Sequence, residues 1–252
     1  MPGVETNAPG AASPEEVVVL PITLIVPTYN EESGIEQFMR RWQDLNARPE
    51  RMLIMDDSRD RTPEIVTTIS REMPWVECHH SKTRLGLSGS VEAGVRLAKS
   101  DWISVMDGDG QHPHEAWIKG ATATTKGDLV AMRRTTHYGR IEGLSWPRTM
   151  FSVGCRLLAQ VILPRSRSAH DPLSGFFFCR RAIWPGDSSP LAWKILLEVL
   201  VKADWHELIE IEYTFAPRSS GVSKASFNVG VGYMRQVWRL WKWERERRRV
   251  RN

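Results

Sequence analysis

Apolar positions in the first half of the chain come in short dense runs, separated by longer stretches of helical spacing. The runs at 17–26, 52–55, 76–79, 102–106 and 129–132 have the length and density of buried strands. Between them, residues 35–45, 63–72, 88–99 and 114–124 carry apolar side chains three and four apart, as a helix with one buried face does. Pro63, directly behind Thr62, suits the first turn of such a helix. Strand and helix in alternation predict an α/β fold around a mostly parallel, doubly wound sheet. The second half is less regular. There 147–163 reads as a helix, 175–179 as a strand, 191–203 as an amphipathic helix and 208–215 as an alternating strand, giving the sheet a short antiparallel part. No internal repeat is visible.

Composition sets the scale. At 252 residues with 41% hydrophobic content, the chain can bury one substantial core. The Pro/Gly/Ala/Ser-rich start, residues 1–15, is expected to be a disordered tail. One domain is expected over 16–234, followed by a basic, Trp/Arg-rich amphipathic segment over 235–252. No apolar stretch approaches the roughly 18 residues that a membrane-spanning helix needs, and residues 1–15 lack the basic and apolar regions of a signal peptide. Cys78, Cys155 and Cys179 are widely spaced and odd in number, which argues against a disulfide framework and suits a reducing compartment.

The net charge of +4 is unevenly placed. Residues 235–252 hold eight Lys and Arg against Glu244 and Glu246, so the rest of the chain is slightly acidic. Val237, Trp238, Leu240, Trp241 and Trp243 lie among those charges. Two readings stand side by side. The segment can lie on an anionic bilayer with its indoles at headgroup level, or it can be a final helix that packs its Trp side inward. A nucleic-acid surface is disfavoured, because nothing else in the chain combines a basic stripe with stacking aromatics.

Candidate chemistry concentrates where three predicted strands end. The first runs into Pro27-Thr28-Tyr29-Asn30-Glu31-Glu32, the second into Asp56-Asp57-Ser58 and the fourth into Asp107-Gly108-Asp109-Gly110-Gln111. In a parallel sheet these ends converge on one edge, where open α/β sheets bind ligands. So much negative charge in one place calls for a cation or for hydrogen-bond donors. Asp107 and Asp109 offer the hard oxygens with which a divalent ion could hold a diphosphate. An EF-hand is excluded by register: His112 stands at the sixth loop position, where Gly is needed, and Ile118 at the twelfth, where Glu is needed. A zinc site from His112 and His114 is disfavoured, since Pro113 separates them and no thiolate or third His lies near.

The segments Ile-Val-Pro-Thr-Tyr-Asn-Glu (25–31), Met-Asp-Asp-Ser (55–58), Gly-Leu-Ser-Gly-Ser-Val-Glu-Ala-Gly (86–94) and Met-Asp-Gly-Asp-Gly-Gln-His-Pro (106–113) resemble the nucleotide-sugar half of the GT-A glycosyltransferases of family 2. Within that family, Asp-Pro-Leu-Ser-Gly-Phe-Phe (171–177), Trp-Lys-Ile-Leu-Leu-Glu (193–198) and the stretch 215–224 are similar, in order and spacing, to the dolichyl-phosphate and polyprenyl-phosphate mannosyltransferases. The resemblance covers about residues 20–243.

Carried over position by position, the resemblance implies a Rossmann-like GT-A fold and a metal-dependent, inverting transfer of mannose from GDP-mannose to dolichyl or polyprenyl phosphate. Pro27, Tyr29, Glu31, Asp56 and Asp57 would line the donor nucleotide, with Gly108 beside the diphosphate. Asp107, Asp109 and Gln111 would hold Mg²⁺ or Mn²⁺. Lys194, Arg218 and Lys224 would grip phosphates, Arg218 acting with the two aspartates in catalysis. Arg133 and Arg148 would hold the lipid phosphate, Arg133 being preferred by position to its neighbour Arg134. By itself Asp56 or Asp57 can equally cap the helix that begins near Pro63, and Lys194 can equally be a solvent-facing charge. The implied setting is peripheral, at the cytoplasmic face of a membrane or on a membrane-anchored partner subunit, with no role for nucleic acid. Two departures stand out: the turn after Asp57 lacks the family's frequent Gly, and Val222 stands where Glu is common. Both leave the metal motif intact and bear on the identity of the sugar. The alternatives are a UDP-glucose or UDP-N-acetylhexosamine donor with the same acceptor, or transfer to a hydroxyl. For the latter, Gln236-Val237-Trp238-Arg239 resembles a processive-synthase motif whose final Trp is here Leu240.

Overall fold

Val, Ile, Leu and Met dominate the inner strands because those strands are covered on both faces, the arrangement that parallel sheets require. The computed structural model describes residues 17–137, 140–141, 146–186, 194–216 and 227–251. The tail 1–15 and the positions of Arg218 and Lys224 lie outside the described residues. Strands β1 (Val18–Thr28), β2 (Ala47–Asp56), β3 (Val76–His80), β4 (Trp102–Val105) and β5 (Leu129–Arg134) are followed by a small ribbon of β6 (Thr136–His137) and β7 (Arg140–Ile141), and then by β8 (Phe177–Arg180) and β9 (Leu208–Tyr213). The main sheet has the order β3-β2-β1-β4-β8-β5-β9. Its pairs are parallel except where β8 runs antiparallel to β4 and β5, so the predicted antiparallel part is a single strand.

Helices α1 (Ile35–Arg40), α2 (Thr62–Ser70), α3 (Gly86–Leu97), α4 (His114–Ala123), α5 (Trp146–Ile162), α6 (Ile195–Lys202) and α7 (Phe227–Arg251) cover the sheet and one end of it. Strand β8 and the residue before it show the two-sided burial. Phe176 and Phe178 join Trp42, Trp117 and Val66 in one layer, and Phe177 and Cys179 join Val91, Val95, Leu196 and Leu200 in the other. A third cluster, with Ala159, Leu163, Leu197, Val201, Tyr233, Val237 and Leu240, binds α5, α6 and α7 together.

Helix α4 packs on β8 through a glycine. A Cβ on Gly120 would stand 2.2 Å from Phe178 Cε2 and 2.7 Å from Met132 Sδ. Gly120→Ala is therefore expected to destabilise the fold by about 1–3 kcal/mol through overpacking, in spite of alanine's better helix propensity. Urea titration of the two proteins measures it.

Three elements differ from the pattern-based expectation. Strand β2 begins at Ala47 instead of 52, because its polar start finds partners: Arg51 pairs with Glu77 on β3 at 2.8 and 2.9 Å, and the Arg48 guanidinium lies 5.1 Å from the Trp75 ring centroid. Helix α6 is not amphipathic. Ile195 to Val201 are all buried, Glu198 included, because α7 covers the side that the charges suggested was wet. Glu198 is satisfied by Lys202 Nζ at 3.2 Å and by Gln236 Nε2 at 3.4 Å. Helix α7 runs unbroken from 227 to 251, so the expected boundary between 234 and 235 falls inside it. Its Tyr233, Val237 and Leu240 face the core with Trp243 packed against them, while Trp238 and Trp241 are 60% and 37% exposed. Inward packing and an outward indole face coexist on one helix.

Candidate active site

One carboxylate ties together the carboxyl ends of β1, β2 and β3. Asp56, 1% exposed, accepts hydrogen bonds from Thr28 Oγ1 (2.8 Å), Ser58 Oγ (2.5 Å) and Ser58 N (3.2 Å), and pairs with His80 Nδ1 at 2.7 Å. Protein donors thus occupy its oxygens, and the half-exposed His80 ring is what this group presents at the edge of the sheet. Asp57 turns to α3, accepting from Leu85 N at 3.1 Å and from Gly86 N at 2.6 Å. Gly86 makes the turn into that helix at φ +68°, a conformation glycine adopts without steric cost. Asp57 therefore caps α3, and the start of α2 is served by Asp60, which accepts from Thr62 N and Oγ1 at 3.1 and 2.6 Å.

The loop after β1 is locked to the loop after β2. Asn30 takes φ +54°, which its short polar side chain tolerates, donates its N–H to Ser58 Oγ and accepts from Arg59 N. Glu31 N donates to Thr62 Oγ1 at 2.9 Å. Pro27, Tyr29 and Glu31 are half-buried along this edge. The Arg84 guanidinium lies 4.6 Å from the Tyr29 ring centroid, a cation–π pair that stiffens the wall.

The loop after β4 lies against the end of β1. A Cβ on Gly108 would stand 3.0 Å from Val26 Cγ1 and 3.3 Å from Thr28 Cγ2, so glycine here lets the loop lie close against the side chains of β1. Gln111 ties the loop to the segment after β9: Ala216 N donates to its carbonyl at 2.9 Å, and its Nε2 donates to Ala216 O at 3.2 Å. Asp109 Oδ1 accepts from Gln111 N at 3.1 Å. Behind Asp107 stands His112, 3% exposed and ringed by Phe176, Tyr213 and Phe215 with centroids 5.1 to 5.6 Å away. Burial pushes the Tyr213 phenol well above its ordinary pKa, so it remains a donor, and its Oη lies 2.8 Å from His112 Nδ1. The other ring nitrogen, Nε2, faces Asp107 Oδ2 at 3.5 Å. On the other side, a Cβ on Gly175 would stand 3.1 Å from the same oxygen.

Among the described residues, no three His, Cys, Asp or Glu side chains come together as a ready metal cage. The donor set still fits a hard divalent cation. Mg²⁺ is commonly held by one or two carboxylates together with substrate phosphates and water. Asp107 and Asp109 would supply the carboxylates and Gln111 Oε1 an amide oxygen, while Gly175 and His112 shape the space around Asp107.

Cationic groups lie next to this acidic edge. Arg134 grips Asp171 with two bonds, Nε at 2.7 Å and Nη2 at 3.0 Å, and both side chains are about nine-tenths buried. Burial opposes the charge on Asp171, but Arg134 overrides it and holds the carboxyl below its usual range. Lys194 precedes α6, and its peptide is clamped by Gln236 of α7, which accepts from its N–H at 3.3 Å and donates to its carbonyl at 2.9 Å. Burial, with the Arg134 charge beside it, lowers the Lys194 pKa; Asp171 and Asp107 act in the opposite sense. Arg134, Asp171, Lys194 and Asp107 thus form one electrostatic cluster.

Arg133 projects from the opposite face of β5, as strand alternation demands, and pairs with Glu212 at 3.1 Å. It and Arg134 line the same cavity, with Ser152 and Arg156 of α5, His170 and Asp171. Of the two arginines, Arg134 is the one electrostatically coupled to Asp107 and Lys194. Arg148 lies in the first turn of α5, and its side chain is outside the described residues. His112, Arg134, Asp171 and Gln236 were given no site role by the sequence, although His112 and Asp171 lie within the motifs of the family resemblance and Arg134 stood as the alternative to Arg133.

Acidic loops at the carboxyl edge of a mostly parallel sheet with one antiparallel strand define a GT-A glycosyltransferase fold. The chain belongs to glycosyl transferase family 2, whose family model matches residues 23–184. It is 34% identical to a dolichol-phosphate mannosyltransferase of Pyrococcus furiosus, over 91% of this chain and 66% of that protein. It thus spans about two thirds of the length of that relative. A dolichol-phosphate mannosyltransferase of Mycosarcoma maydis is 28% identical, over 87% of this chain and 79% of that one. Among solved structures, glucosyl-3-phosphoglycerate synthase from Mycobacterium tuberculosis, in complex with Mn²⁺, UDP and glucosyl-3-phosphoglycerate, superposes with a TM-score of 0.63 at 16% identity, covering 88% of this chain and 78% of that one. Mannosyl-3-phosphoglycerate synthase from Rubrobacter xylanophilus gives 0.61 at 15%, covering 87% and 73%. These two likenesses show the fold.

Proposed function

We propose that the protein transfers mannose from GDP-mannose to dolichyl or polyprenyl phosphate, with inversion at the anomeric carbon. The observation that carries this reading is helix α5, which lines an arginine cavity whose Arg134 and Asp171 act electrostatically on Lys194, and which exposes an apolar stripe to solvent. Met150, Phe151, Leu157 and Val161 of α5 are 52 to 71% exposed. A lipid phosphate needs both surfaces at once, a cationic seat for the headgroup and an apolar path for the chain. The mannosyltransferase relatives named above support the same sugar and acceptor.

The donor diphosphate would lie at the edge formed by Asp107, Asp109 and Gln111, with its nucleoside toward Tyr29 and the loop after β2. A divalent cation held there, Mg²⁺ or Mn²⁺, supplies positive charge to offset what develops on the leaving diphosphate. Arg218, Lys224 and Lys194 are the cationic side chains assigned to the phosphates. The acceptor phosphate has a second pKa of about 6 and is largely a dianion at neutral pH. It attacks the anomeric carbon directly, the glycosidic bond to the diphosphate breaks on the opposite face, and no side chain need act as base. Alignment by Arg133 and Arg148 lowers the barrier by several kcal/mol, as fixed geometry does. Incubation with a divalent cation, polyprenyl phosphate and radiolabelled GDP-mannose, UDP-glucose or UDP-N-acetylglucosamine tests the reading. Label from GDP-mannose is expected in the lipid phase; label from a UDP-sugar alone would reassign the donor, and label from none would remove the function.

No helix among the described residues is long and apolar enough to cross a membrane. Peripheral contact, at the cytoplasmic face, is assigned to α5 and α7 together. A Cβ on Gly230 of α7 would lie 4.0 Å from Phe151, so the two helices meet, and Met234 and Trp238 extend the apolar stripe at 50 and 60% exposure. Arg235, Arg239 and Arg245 of α7 supply charge for anionic headgroups. Burying a large apolar side chain is worth about 1.5–3 kcal/mol, so the pair Phe151→Ser and Trp238→Ser is expected to weaken binding to anionic liposomes tenfold or more. Unchanged sedimentation with liposomes would transfer the anchoring to a membrane partner subunit.

A further inference from the structure

Among the described residues, three arginines line the cavity beneath α5, and two of them are paired with carboxylates. Arg133 pairs with Glu212, and Arg134 pairs with both oxygens of Asp171. Arg156 is different. Its only hydrogen bond among the described residues is a long one, from Nη1 to the His170 carbonyl at 3.4 Å, and its Nε is buried with no acceptor. The nearby acids are committed elsewhere, since Glu210 accepts from His170 N and pairs with the His170 ring. A buried guanidinium N–H that faces a cavity without an acceptor is an unsatisfied donor that an anion could complete. The cavity, about 160 Å³, is several times the roughly 30 Å³ of one water.

Helix geometry links Arg156 to Ser152. Ser152 and Arg156 are four residues apart on α5, which puts them along one side of the helix. Ser152 and Arg156 line the cavity together. We propose that Arg156, with Ser152, forms an inner phosphate seat for the acceptor, its free guanidinium taking the phosphate of the prenyl chain as that group approaches Asp107 and Lys194. This rests on the acceptor reading given above and adds the residue that the described cavity leaves uncompensated. A second source of the same chemistry, the diphosphate of the donor, is a competing occupant.

Binding separates these cases without requiring turnover, so the proposal stands or falls independently of the transfer assay. The intact protein and the variants Arg156→Gln and Arg156→Lys are titrated calorimetrically with farnesyl phosphate, with farnesol and with GDP, the last in the presence of Mn²⁺. Arg156→Gln is expected to bind farnesyl phosphate at least tenfold more weakly while farnesol and GDP affinities stay unchanged, and Arg156→Lys is expected to recover part of the loss. Equal loss for farnesyl phosphate and farnesol would make Arg156 a packing residue and overturn the proposal, as would unchanged affinity for farnesyl phosphate. Loss confined to GDP would assign the seat to the donor and overturn it equally. Melting temperatures read whether each variant is folded; should Arg156→Gln unfold, the comparison of Arg156→Lys with the parent decides, a selective loss for the phosphate supporting the seat and none overturning it.

Discussion

If Asp109 holds the metal at the proposed diphosphate site, Asp109→Asn is expected to slow sugar transfer by about 10³-fold, since losing one anionic ligand there forfeits roughly 4 kcal/mol of transition-state stabilisation. The substitution keeps size and shape. Asp109 Oδ1 accepts from Gln111 N, a role an amide oxygen can fill, so the melting temperature should stay within a degree or two. Asp107→Asn should be as damaging to transfer and should also disturb the packing behind it, where His112 Nε2 faces Oδ2 at 3.5 Å and Gly175 leaves no slack. Steady-state rates at saturating donor and acceptor decide the matter. Full activity in Asp109→Asn would remove the carboxylate from the chemistry.

The second large effect is on stability. Arg134→Ala leaves the Asp171 carboxylate buried and without its bidentate partner, a change that typically costs about 3–5 kcal/mol. It also takes away a positive charge that lowers the Lys194 pKa, so that amine should become easier to protonate. Asp171→Asn has the mirror effect, stranding Arg134 beside Lys194. The pH dependence has a definite sign. Asp171 is held below its usual range in the fold, so the stability it contributes is present above about pH 4, the ordinary carboxylate value, and is lost as pH falls through its lowered folded pKa. Denaturation curves of Asp171→Asn and the parent should therefore converge only in strong acid. A constant gap at all pH values would show that the charge plays no part.

The sheet was legible in the sequence because its strands are short apolar runs covered on both faces, and the acidic edge was legible because three of those runs end in carboxylates. Other features depend on partners far along the chain. His112 has the wrong neighbours for a metal ligand, and its link to Asp107 depends on Tyr213, 101 residues away. Asp57 caps α3 across 28 residues to Leu85, so proximity pointed instead to the helix at Pro63, which Asp60 serves. Helix α6 carries Glu198 and Lys202 four apart, a spacing that reads as a wet face until α7 is seen to cover it. Val130, Met132 and Arg134 share one face of β5 with the aromatic layer of Tyr213, a placement that depends on β9 far along the chain.

The acidic edge is most directly probed with Mn²⁺, whose free hexaaquo ion gives a sharp paramagnetic resonance signal. Protein and GDP-mannose together should quench that signal well beyond either alone, and the variant carrying both Asp107→Asn and Asp109→Asn should lose the excess. Equal quenching by the double variant, or a free-ion signal untouched by the native protein with donor, would contradict a metal-diphosphate site at Asp107 and Asp109.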